Sequence, residues 1–124
     1  VEVYEMNLML ATSANDLAPL PGSVMRPAVT VPQVDWASEA ALVIDMGEQR
    51  TAGYSLTVTD VARTQAGVVE LKLQVRRPGR GDFVAQVITH PYTVAKVPRA
   101  WLNGATVVAV DQHGTELIRQ VVSL

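Results

Sequence analysis

Apolar and polar residues alternate at period two along much of the chain, the pattern of strands with one buried face. The clearest case is VVELKLQVRR, where Val69, Leu71, Leu73 and Val75 oppose Glu70, Lys72, Gln74 and Arg76. YSLTVTDV repeats it, with Tyr54, Leu56 and Val58 against Ser55, Thr57 and Thr59. Turn residues punctuate these runs. A turn at Ala37 to Glu39 leads into a buried strand, Ala41 to Met46, that stops at Gly47. ARTQAGV turns at Gly67, PGRGD follows Arg77, and QHGT joins ATVVAVD to the closing strand ELIRQVVSL. FVAQVITHPYTVAKV reads as a strand interrupted at His90-Pro91, and Val1 to Leu10 as another, although its Met and Leu residues also suit a helix.

Between Ala11 and Gln33 the pattern loosens, and four of the seven prolines fall there. Proline lacks a backbone donor, so this is an irregular excursion, with room for a short edge strand near Ala28 to Val31. The sum is about seven or eight short strands with no long amphipathic helix. We expect a single all-β domain over residues 1–124, an antiparallel β-sandwich or small barrel of immunoglobulin-like type.

Composition narrows the function classes. Hydrophobic residues make up 48% and charged residues 18%, which fits a globular chain rather than a disordered one. A formal net charge of −2 leaves no excess of Lys and Arg to neutralise phosphates, so nucleic acid is not an expected partner. The absence of cysteine removes disulfides, thiolate metal sites and cysteine nucleophiles. No apolar run approaches the roughly 18 residues of a membrane span. The sequence begins at Val1 rather than Met. We expect an exported protein of the bacterial periplasm or cell envelope, with a signal or lipid-anchor segment removed upstream.

Candidate chemistry is sparse. His90 and His113 are the only histidines, and a hydrolase built on them would recruit Asp45 and Asp111. Ser55 has no nucleophile-elbow context, and the carboxylates at Asp35, Asp45, Asp60, Asp82 and Asp111 lack calcium-loop spacing. No Walker or dinucleotide fingerprint is present, so we expect no catalytic residue, no metal and no cofactor. GRGDF contains the tripeptide Arg80-Gly81-Asp82 read by integrin-type receptors, in a place where a hairpin turn itself calls for glycine. Arg76, Arg77 and Arg80 cluster near the same turn, either to meet an acidic patch or as a solvated hairpin end.

The loop QRTAGY carries more. DMGEQRTAGYSLTVTDV, an alternating strand, the Pro78-Gly79 turn and then AQVITHPYTVAKV together resemble the C-terminal domain of the PrcB family, accessory subunits of secreted bacterial protease complexes. Gly47, Thr51, Gly53, Tyr54, Pro78, Gly79, Thr89, Pro91 and Tyr92 fall in step with that family's pattern, over about Val34 to Val97. Ala52 stands where the family usually has glycine, which disfavours a positive φ there. A second resemblance is to chagasin-like inhibitors of papain-type proteases, which present a Thr-Thr-Gly-Tyr or Thr-Thr-Gly-Phe loop. Their other two loop elements have only poor counterparts here, at Met25 to Pro27 and Pro98 to Trp101.

The resemblance implies a non-enzymatic, exported domain that binds or stabilises a protease; the glycine-containing loop makes Arg50, Thr51, Ala52, Gly53 and Tyr54 the candidate partner-binding residues, and the Arg-Gly-Asp turn adds Arg80 and Asp82 as secondary candidates. A loop-mediated protease inhibitor and a structural or adhesive envelope module are the alternatives. The alternation itself puts Tyr54 on the core face with Leu56 and Val58 and leaves Arg50, Thr51 and Ala52 as the tip.

Overall fold

The computed structural model describes residues 6–17 and 32–124. Among these residues seven strands form two facing sheets. β1 (Asn7–Ala11), β2 (Glu39–Asp45) and β5 (Tyr92–Pro98) make one, in the order β1-β2-β5. β3 (Ser55–Gln65), β4 (Val68–Arg76), β6 (Ala105–Val110) and β7 (Glu116–Val122) make the other, in the order β3-β4-β6-β7. A four-residue helix, α1 (Ala14–Leu17), follows β1, and a single 3₁₀ turn, Arg99–Trp101, follows β5. The all-β sandwich expected from the alternation is what forms, not a closed barrel.

The main core lies between the sheets. Leu8, Leu42, Ile44, Ala95 and Val97 face Leu56, Val69, Leu71, Leu73, Val107 and Ala109. β2 departs from alternation because it is buried on both sides: Ala40, Leu42 and Ile44 point into that core, while Ala41 and Val43 point outward into a second cluster. A strand covered on both faces reads as a continuous apolar run. The second cluster includes Ala11, Tyr92 and Val94, with Leu17, Val34 and Trp36 packed on it. The Arg99 guanidinium ties this side together. Its Nε donates to the Trp36 carbonyl at 2.8 Å and the Glu39 carbonyl at 3.0 Å, and its Nη2 to the Thr12 carbonyl at 2.6 Å.

Several expectations need correction. β4 and β6 pair in parallel, Val68 beside Thr106 through Lys72 beside Val110, so the four-stranded sheet is mixed rather than antiparallel. After β4 the chain crosses to the other sheet for β5 and returns through the 3₁₀ turn, which brings β6 in along the direction of β4. Parallel neighbours need such a long crossover. An immunoglobulin-like order would set β3 beside β6 as an antiparallel pair; here β4 takes that place. The strand expected from Phe83 begins only at Tyr92; of the first strand, expected over Val1 to Leu10, Asn7 to Leu10 is met and the strand runs on to Ala11, while residues 1–5 lie outside the described residues. Ala28 to Val31 and Met25 to Pro27 lie outside the described residues. A bulge between Val58 and Asp60 shifts the phase of β3, so that Val61 rather than Asp60 packs on the core.

Candidate functional site

The residues that carried the family resemblance meet at one end of the three-stranded sheet. β2 and β5 pair antiparallel from Glu39 beside Pro98 to Asp45 beside Tyr92. Their register continues, to within one residue, past both strand ends. The Met46 amide donates to the Pro91 carbonyl at 3.0 Å, Gln49 and Thr89 exchange two backbone hydrogen bonds at 2.8 and 2.9 Å, and the Ala52 amide donates to the Ala85 carbonyl at 3.0 Å. The loop 46–54 and the segment 83–91 are therefore an irregular two-chain ribbon prolonging the β2–β5 ladder. The Thr89 hydroxyl adds a 3.0 Å hydrogen bond to the Thr51 carbonyl.

Glycine and tyrosine shape this ribbon. Gly47 and Gly53 have φ of 71° and 96°, in the left-handed region. A Cβ on Gly53 would lie 2.8 Å from Pro78 Cγ and 3.1 Å from Val84 Cγ1, so the Pro-Gly turn and the ribbon close around a position only glycine fills. Among the described residues no non-glycine has positive φ, so Ala52 sits in ordinary backbone as its side chain demands. Tyr54 is half-buried against the main core, the placement that its phase with Leu56 and Val58 predicts. Thr51 and Ala52 are also half-buried and hydrogen-bonded within the ribbon; of the five candidate contact residues Arg50 to Tyr54, only Arg50 and Gly53 are exposed.

The Pro78–Asp82 turn stands beside it. The Asp82 amide donates to the Gly79 carbonyl at 3.1 Å, and its carboxylate accepts the Gly79 amide at 2.6 Å. Gly81 has φ of 88°. Arg80 and Asp82 are exposed, but the Asp82 carboxylate is held by its own turn.

The hydrolase candidates do not converge. The Asp45 carboxylate accepts from the Asn7 side chain and the Gly47 amide, and that of Asp111 accepts the His113 and Thr115 amides at 2.9 Å. Neither receives a histidine ring. His90 Nε2 lies 4.0 Å from a Glu48 carboxylate oxygen, and His113 is exposed in the β6–β7 turn. A depression of about 330 Å³ near His113 is lined by Arg76, Arg77, Asp111 and Gln112 and contains none of the ribbon's residues.

Sequence reasoning missed the apolar surface next to the loop. Phe83 is fully exposed, and Val87 and Ile88 are 50% and 64% exposed. One signal was available: adjacent Val87 and Ile88 cannot both take the inward phase of a strand.

Residues 41–98 match the family model described as PrcB C-terminal, which bears out the resemblance over that segment. The match runs from within β2 to the end of β5 and contains the whole ribbon. No curated protein and no solved structure is matched by the chain.

Proposed function

From the match of residues 41–98 to the PrcB C-terminal model, we propose that this protein is a non-catalytic accessory domain that binds and stabilises an exported bacterial protease, and that it works in the cell envelope. The observation that carries this reading is the exposure of Phe83, Val87 and Ile88 on the ribbon held by the TAGY loop, within the family segment. Exposed apolar side chains on both faces of one segment, with exposed Arg50 and Arg80 in the adjoining loop and turn, have the composition of a protein contact. The scattered partners of His90, His113, Asp45 and Asp111 favour a binding role over a hydrolytic one.

The inhibitor alternative asks the Thr51–Tyr54 loop to enter a cleft as a wedge. Thr51, Ala52 and Tyr54 are half-buried and turned to the ribbon and the core, which does not favour it. Deleting the gene in its native host tests the accessory reading. The level or half-life of a secreted protease falls, re-expression restores it, and an active-site probe still labels that protease when the two proteins are bound. Unchanged protease in the deletion strain contradicts the reading.

A further inference from the structure

The ribbon has one paired edge and one open edge. Thr89, Ala85 and Pro91 direct their backbone groups to the loop 46–52. In an extended chain alternate residues point to the same edge, so Val84, Gln86 and Ile88 aim their amides and carbonyls the other way. Among the described residues none of these three has a hydrogen-bond partner. The open edge continues that of β5, the outermost strand of its sheet among the described residues. From Phe83 to Ile88 it has no proline and no charged side chain, the devices that normally protect an edge strand.

We propose that this edge, Val84 to Ile88, takes up an extended segment of a partner protein by strand addition, and that the segment is apolar with acidic flanks. The proposal deepens the accessory-subunit reading and rests on it for the partner's identity, not for the binding mode. Unpaired backbone specifies a strand, and Phe83, Val87 and Ile88 specify apolar side chains along it. Charge specifies the flanks. Arg50 lies across the ribbon from Val87 and Ile88, and Arg80 precedes Phe83 in the turn. Of the nearby anions, Asp82 is held by the Gly79 amide and Glu48 lies beside His90. A second copy of this chain fits less well, since antiparallel self-pairing would bring two sets of these arginines together.

The test uses synthetic peptides of alternating Val and Thr, flanked at both ends by either Glu or Lys, titrated into the intact protein and followed by amide NMR and hydrogen exchange. The Glu-flanked peptide binds about tenfold tighter than the Lys-flanked one and slows exchange at Val84, Gln86 and Ile88. N-methylation of its alternate amides abolishes binding. So does Gln86→Pro, which removes an amide that has no intramolecular partner. Absence of binding by the Glu-flanked peptide, equal binding of the Lys-flanked one, or undiminished binding after N-methylation overturns the proposal. So does a dimer in sedimentation whose edge amides are already protected. Normal protease association without peptide binding sinks strand addition alone, whereas peptide binding without any protease association sinks the accessory reading alone.

Discussion

At the scale of single residues, glycine and tyrosine carry opposite lessons. Gly53 combines a φ of 96° with Pro78 and Val84 packed where a Cβ would go, whereas Gly67 has a φ of 78° and open space around it. Gly67→Ala therefore costs only the left-handed backbone penalty, about 1 to 2 kcal/mol, while Gly53→Ala adds a clash and costs about 3 kcal/mol or more. Urea unfolding of the two variants measures the difference; equal losses would mean that the Pro78 contact does not constrain the loop. Tyr92 is buried in the second cluster, and burial raises its phenol above the usual value of 10. The folded protein thus holds this proton longer than the unfolded chain. That contribution is complete below about pH 10 and is lost as pH climbs through the raised value. Among the described residues the Tyr92 hydroxyl has no hydrogen-bond partner. Tyr92→Phe should therefore unfold within about 1 kcal/mol of wild type at neutral pH and lose less stability than wild type above about pH 10. Parallel pH–stability curves would contradict this.

At the scale of elements, what period two encodes was legible and what it does not encode was not. Val69, Leu71 and Leu73 gave β4 its face, and Tyr54, Leu56 and Val58 gave β3 its own, because burial of one face enforces the phase. Strand direction leaves no such trace, so the parallel β4–β6 pair was invisible. FVAQVI has strand composition, but within it only Ala85 is paired, with Thr89 the next anchor beyond its end, and composition does not report a missing partner. The end of β4 shows another device beyond pattern reading. Beyond the last β4–β6 pair, the Gln112 side chain takes the role of a strand: the Val75 amide donates to its Oε1 at 3.0 Å and its Nε2 donates to the Val75 carbonyl at 2.9 Å. Gln112→Glu removes the donor and Gln112→Ala removes both groups. Each loosens the junction by about 1 kcal/mol and speeds hydrogen exchange at Val75. Unchanged exchange at Val75 would show that the side chain is a bystander.

At the scale of the whole molecule, the family segment and the folding unit do not coincide. Residues 41–98 supply β2 to β5, but β4 packs against β6 and the core is completed by Leu102, Ala105, Val107 and Ala109 from outside the match. The isolated fragment 41–98 should lack a cooperative unfolding transition and dispersed amide resonances; a folded fragment would place the stability of this domain elsewhere. The site has the same character. Its shaping residues were legible as motifs, while the exposed Phe83, Val87 and Ile88 emerge only once the ribbon is assembled, as does the reason a Gly53 substitution would confuse misfolding with lost binding. The most direct test of the central claim is quantitative capture of the protease from the native envelope fraction, comparing wild type with the surface variant Arg50→Glu/Val87→Ser/Ile88→Ser. Wild type should recover a protease, and the variant, with an unchanged unfolding midpoint, should recover it at least about tenfold less well. Equal recovery by a folded variant, or recovery of no protease by wild type, would contradict the claim.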